Sequence, residues 1–512
     1  MKRNAEHEAA ILAAPDDLNE RMVYGDWLQA EGDPCGEWIA MRARLEMAPA
    51  DVATRRAALA VLAKRKKLLF GDGVAVLARA WIGWSGGFVD ELRIQRSPAT
   101  EMRKTRLAAL FAHPLLRFVR HVAFGELHTS ADMQVAIEAL VAAKPPLLEE
   151  VIVGDQSDLG LRSTIDAIAE LPIKRLGLGF VTLRAAMPQL RELTYLDQHL
   201  GEARPSKWIL DGKGPAVQKV TIVSGREGAT TDGEIEQMRS RGIEVDVVRD
   251  PVIDNHYNQA SSSPILARTR TSGREAVRHM PQAGMVINNS VSHMMGRKLA
   301  PPELFWLADI GATIPIGVNG YSFLNAAILR QKAGDHDEAE LRAREALIWS
   351  PDEPNYHSML IDALRRSGRL ADAKRAIPRA LKAIDDPTDD GYVAGAKWAL
   401  VDCMLALAQA GDYAEALQLA GRYPQLVDGM HRAAMTIIYA LMDDLENAQR
   451  QWALADTKEP IVEHARAAIA IRTNRPLDAK KALGVAKRKL YGELHWIAAD
   501  PLLAPLIAGT KG

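Results

Sequence analysis

The sequence predicts a multidomain chain of α/β plus all-α class. A helical N-terminal piece comes first, then an α/β array of short repeats, then an all-α array of helical hairpins. Three observations carry this. Residues 5–70 show helix caps and helical apolar spacing; residues 80–250 repeat a strand-like apolar pattern; and small residues recur every 34 positions after about 320. A chain of 512 residues has room for three or four such domains.

Composition narrows the function classes. Hydrophobic residues are 48% and charged residues 25%, the balance of an ordinary globular protein. With 64 basic and 65 acidic residues the formal net charge is −1, which disfavours a protein that coats nucleic acid or a membrane surface. The two cysteines, Cys35 and Cys403, are too few for a disulfide framework or a cysteine-built zinc site, and a reducing cytoplasm is expected. The start, MKRNAEHEAAILAAPDD, lacks the apolar core of a signal peptide. No run of eighteen apolar residues occurs, so no membrane span is expected.

The first domain is expected over residues 1–79. Asp16 or Asp17 can cap a helix through Leu18–Ala30, Gly32 can stop it, and Asp33-Pro34 can turn the chain into a second helix from Gly36. A third helix begins near Asp51 and carries Lys64-Arg65-Lys66-Lys67, read as a solvated face rather than a nucleic-acid patch. Tyr24, Asp26, Trp27, Asp33, Cys35 and Glu37 sit close together in sequence and suggest a reactive cluster. Position argues otherwise. The carboxylates fall at turn and helix-start places, and acidic neighbours raise a thiol's pKa, which is wrong for a nucleophile. Tyr24, Asp26, Trp27, Gly32, Asp33, Pro34, Gly36 and Glu37 are therefore read as structural.

The same stretch carries a resemblance. Pro15, Asp16, Asp17, Arg21, Val23, Tyr24, Asp26, Trp27, Leu28, Gly32, Asp33, Pro34, Gly36, Glu37 and Ile39 fit the pattern of the bacterial repeat-companion domain. The match covers about 40 residues. It implies a bacterial source and leucine-rich-like repeats just downstream, and it supplies no catalytic activity.

Over residues 80–250 one pattern recurs: an apolar residue, then apolar residues at +3 and +5, with charges between. It appears at Val89, Val119, Leu148, Ile173, Leu190 and Val217, separated by 30, 29, 25, 17 and 27 residues. Alternate side chains of a short strand would enter a shared core, and helices such as Glu101–His113 and Asp132–Ala143 would fill the longer gaps. Pro114, Pro146, Pro172 and Pro215 precede the strands and end what comes before. The pattern resembles the LxxLxL half of a leucine-rich repeat without its usual Asn. The resemblance implies a leucine-rich-repeat-like α/β solenoid with an N-terminal helical cap.

Residues 251–318 break both patterns, and QASSSPILARTRTSGR reads as a linker. Helical hairpins are expected over 319–495, with a tail at 496–512. Adding 34 to Gly334, Ala339 and Ala346 lands on Gly368, Ala373 and Ala380. The third copy, AGDYAEALQLAGRYP, is offset by 43, and Ala448 and Ala479 mark two weaker copies. These fragments resemble tetratricopeptide repeats, which implies a C-terminal tetratricopeptide-like α-solenoid. By that family's register the partner-facing residues are Asn325, Ile328, Gln331, Asp362, Arg365, Arg366 and Asp402. The Lys and Asn of the chaperone-type carboxylate clamp are not matched, so chaperone binding is not implied.

No GxxxxGK[ST], GxGxxG after a strand or HExxH occurs. The expectation is a non-enzymatic scaffold or adaptor with no catalytic residue, cofactor or metal, holding a protein or peptide partner on its repeat surfaces. A nucleic-acid-associated regulatory or defence accessory is the second reading, through the arginines of the linker and the basic run. An enzyme with an unrecognised site is the third. Oligomeric state is left open.

Overall fold

The computed structural model describes residues 1–77, 80–94, 104–124, 130–153, 166–179, 186–197, 205–212, 217–224, 230–249, 321–385, 393–455 and 461–488. The linker and tail expected at 251–318 and 496–512 lie outside them. The chain divides into two compact units, and among the described residues the division falls between Ser322 and Phe323.

The first unit opens with four helices, α1 (Ala5–Ala13), α2 (Leu18–Ala30), α3 (Pro34–Met47) and α4 (Val52–Phe70). Each starts where a short polar side chain takes up an orphan backbone N–H: Asn4, Asp17, Asp33 and Asp51. Gly32, with φ 68°, lets the chain leave α2 in the left-handed region. Helices α2 and α3 approach closely through glycines. A Cβ on Gly36 would lie 2.5 Å from the Gln29 nitrogen and 2.7 Å from the Gly25 oxygen.

The sheet follows: β1 (Ala80–Ser85), β2 (Phe88–Ile94), β3 (His121–Phe124), β4 (Glu150–Val153), β5 (Arg175–Leu178), β6 (Glu192–Asp197), β7 (Lys219–Ser224) and β8 (Glu244–Arg249). Their spatial order is their sequence order. β1 and β2 are antiparallel, joined by Gly86-Gly87, both at positive φ as a tight two-residue hairpin turn requires. Every later pairing is parallel with no register shift, so that Leu92, Val122, Val151, Leu176, Leu193, Val220 and Val245 align in one row. The apolar residues at the first, +3 and +5 positions of β2–β7 are all buried, none above 5% exposed. Helices α5 (Lys104–Phe111), α6 (Ser130–Ala143), α7 (Pro205–Leu210) and α8 (Asp232–Ser240) lie between strands, and a 3-10 turn, Asp166–Glu170, precedes β5.

Helices α2 and α3 hold the β1–β2 hairpin. Arg21 donates to the Ser85 and Pro15 carbonyls at 2.7 Å each, Trp38 Nε1 donates to the Gly87 carbonyl at 3.1 Å, and the Gly86 N–H donates to Glu46 at 2.5 Å. Trp38 meets Trp84 edge-on at 4.7 Å, and Tyr24 stacks on Phe88 at 5.6 Å. A Cβ on Gly87 would lie 2.5 Å from the Ile39 Cα, so the turn is pressed against α3.

The second unit is helical: α9 (Tyr321–Lys332), α10 (His336–Trp349), α11 (Pro354–Arg366), α12 (Leu370–Asp385), α13 (Val393–Gln409), α14 (Tyr413–Arg422), α15 (Gly429–Leu441), α16 (Leu445–Ala453), α17 (Ile461–Arg472) and α18 (Pro476–Arg488). They form five successive hairpins among the described residues. In each, the first helix ends on a residue at positive φ: Gly334, Gly368, Gly411, Asp443 and Asn474. Five residues on, Ala339, Ala373, Ala416, Ala448 and Ala479 are each 0% exposed. Only a small side chain fits where the paired helices touch. The helix α11 is buried nearly all round, with eleven of its thirteen residues buried.

Candidate functional site

The polar side chains nominated for the helical unit converge on α11. Asp362 is buried there, and a buried carboxylate needs partners. Gln331 of α9 donates to it, as do Arg365 and Arg366 one turn on, Arg366 through Nε at 2.9 Å. Arg365 also lies 3.5 Å from Asp402 of α13, and Ser358 of α11 donates its hydroxyl to Asp402 at 2.6 Å. One network therefore runs through three successive first helices.

The two carboxyls behave oppositely. Burial raises Asp362, but the guanidiniums of Arg365 and Arg366 more than reverse this and hold it below the usual carboxylate range. Burial, reinforced by the charge of Asp362, pushes Asp402 up to about 7 against the pull of Arg365, Ser358 and Arg366. Near neutrality Asp362 is ionised while Asp402 exchanges a proton. Its oxygens are engaged by Ser358 and Arg365, so the group acts on the network itself.

Gln331, Asp362, Arg365 and Asp402 are thus brought together and buried, with Arg366 half-buried beside them. Ile328 is half-buried against the apolar core. Asn325 lies on α9, its side chain outside the described residues. Sequence reasoning passed over Ser358, although its place one turn before Asp362 on α11 was a usable signal.

The outward row of the sheet is a second polar surface. Register aligns Glu91, His121, Glu150, Arg175, Glu192, Lys219 and Glu244. His121 Nδ1 is 3.1 Å from Glu150, and Lys219 is 2.8 Å from Glu244. Glu91 and Glu150 are buried, whereas the Lys219 and Glu244 side chains are 43% and 67% exposed. The row is open toward its C-terminal end.

The N-terminal cluster is arranged around turns. Asp33 accepts from the Cys35 and Lys2 backbone N–H groups at 2.9 and 2.6 Å, with Pro34 opening α3. Glu37 is exposed and pairs with Arg65 at 2.5 Å; Asp26 is exposed. Tyr24 is buried and donates to the Lys2 carbonyl at 3.2 Å, and Trp27 lies 5.9 Å from the Tyr24 and His7 rings. Cys35 is pushed up to about 12, by burial first and Asp33 second, so its acidic neighbour is the lesser cause. Cys403 is buried and raised as well.

Among the described residues no group of three or more His, Cys, Asp or Glu is placed to hold a metal ion, and no helix is long and apolar enough to cross a membrane. No protein-family model matches the chain, and no curated protein matches it either.

Proposed function

We propose that this chain is a non-enzymatic bacterial scaffold, at work in the cytoplasm, that binds a protein partner on stacked repeats. In this reading the sheet is a leucine-rich-repeat-like solenoid capped by a repeat-companion domain, and the helical hairpins are tetratricopeptide-like. Each turn of such an array contacts its neighbours and leaves one extended polar face. The supporting observation is the unshifted parallel register of β2–β8, which lays Arg175, Glu192, Lys219 and Glu244 in one outward row that is open at its C-terminal end. In the helical unit Gln331, Asp362, Arg365, Arg366 and Asp402 hold the first helices in place behind any partner contact.

The test is affinity capture from a bacterial host with the full chain and with Thr221→Arg. Thr221 sits half-exposed on the outward face of β7, where added bulk removes no ion pair. The scaffold reading expects one protein retained near stoichiometry by the parent and lost with the variant at unchanged circular dichroism. Retention of nucleic acid alone, with steep salt dependence, would favour the nucleic-acid reading instead.

A further inference from the structure

In the last two hairpins, α16, α17 and α18 enclose a half-open cavity of about 480 Å³. That is within the range of small-molecule sites. Ile469 and Ala482 give it an apolar floor, and Trp452 forms a wall. The Arg466 guanidinium lies 5.5 Å from the Trp452 ring centroid, a cation–π stack that presents a flat surface.

The rim is cationic. Arg466, Arg475 and Lys481 line the cavity against one carboxylate, Asp478. Arg466 is matched by Glu463 at 2.9 Å. Arg475 and Asp478 are 3.6 Å apart and both more than half exposed, so solvent screens that pair. Lys481 is exposed at the mouth.

The molecule contains its own control. The equivalent notch two hairpins earlier, between α12 and α14, has about 320 Å³ and no aromatic lining. There Lys374 is held by Asp412 at 2.6 Å, and Arg422 by Asp385 at 2.5 Å, with the Tyr423 hydroxyl donating to the same carboxylate at 2.8 Å. The repeat architecture makes the notch; the earlier copy sets Lys374, Lys382 and Arg422 against two carboxylates, Asp385 and Glu415, whereas the later copy sets three cations against one carboxylate and adds an indole.

We propose that the later cavity binds a small planar aromatic anion, its ring against the Trp452–Arg466 stack and its phosphate or carboxylate held by Arg475 and Lys481. This site is independent of the scaffold reading, which survives its failure.

The test is isothermal titration of the full chain at low salt. The probes are AMP and indole-3-carboxylate, with adenosine and ribose 5-phosphate as dissected controls. AMP or indole-3-carboxylate is expected to bind, the two arms separating a phosphate from a carboxylate ligand. Each control should bind about tenfold more weakly or worse. Arg475→Glu with Lys481→Glu should lower affinity at least about tenfold, and Asp478→Asn should raise it a few-fold. Trp452→Ala should remove the advantage of AMP over ribose 5-phosphate; because Trp452 also packs on the core, the rim variants carry the test alone if it misfolds. The proposal fails if neither aromatic anion binds at about 5 mM, above the weak limit of useful affinity. It also fails if ribose 5-phosphate matches AMP, or if the rim variants keep full affinity with a native circular dichroism spectrum.

Discussion

Asp402→Asn should change how stability depends on pH in the helical unit. In the folded chain Asp402 titrates near 7, against 3.8 for an ordinary aspartate. The folded state therefore holds a proton that the unfolded state has released between about pH 4 and 7, and stability falls as pH rises through that window. A shift of about three units corresponds to about 4 kcal/mol at most. Buried histidines act in the opposite sense. His113, pushed down to about 4 by burial, and His357 and His431, also lowered by burial, stay neutral when folded, so they add stability as pH rises toward 6.5. The parent profile mixes both signs, and the comparison with the variant isolates Asp402. Asparagine resembles the protonated carboxyl and cannot ionise. Urea denaturation followed at 222 nm, at half-unit steps from pH 4 to 8, should show the variant gaining on the parent as pH rises, then levelling. Infrared difference spectra at pH 6 should show a protonated carboxyl band in the parent that the variant lacks. Parallel stability profiles across this range would refute the reasoning.

Gly36→Ala should cost roughly 1–3 kcal/mol by thermal melting, because its Cβ would press on the Gln29 and Gly25 backbones. Asn474→Ala should destabilise the last hairpin by about 1 kcal/mol while Asn474→Gly stays near neutral, since φ is 55° there; urea midpoints separate the two. Cys35 and Cys403 should resist iodoacetamide at pH 8 in the native chain and react on unfolding, as mass spectrometry would show. Lys219→Glu should remove the contact with Glu244 and place acids on three adjacent strands, costing roughly 1–2 kcal/mol at low salt and less at high salt.

The central strands were legible because each turn buries the same three positions. Val89, Leu92 and Ile94 report one strand, and five more copies repeat the report. The two outer strands were not. β1 pairs antiparallel through a turn that depends on Gly86 and Gly87, and no repeat copies it. β8 has Gly242 where the first apolar residue would stand, and its Val245 and Val247 are only half-buried. In the helical unit the last two hairpins read weakly because Asp443 and Asn474 replace glycine, and these are the other residues that tolerate the left-handed region. For the polar network, helix register could name Asp362, Arg365 and Asp402 but not their burial. That depends on how α9, α11 and α13 pack, which no local pattern encodes.

The charge order along the sheet bears on how such an array assembles. Its core residues are nearly interchangeable valines, leucines and isoleucines, so apolar burial alone would barely distinguish the right neighbour from the next one along. The outward row supplies the distinction. Reading Glu91, His121, Glu150, Arg175, Glu192, Lys219 and Glu244 in order, no two adjacent strands carry like charges. Skipping one turn would set Glu91 against Glu150, Glu150 against Glu192, Arg175 against Lys219, or Glu192 against Glu244. Each of these four errors opposes like charges, which destabilises a strand pair directly; the fifth omission, of β4, sets His121 against Arg175. The row therefore penalises four of the five single omissions while contributing little net charge, and its C-terminal end stays exposed.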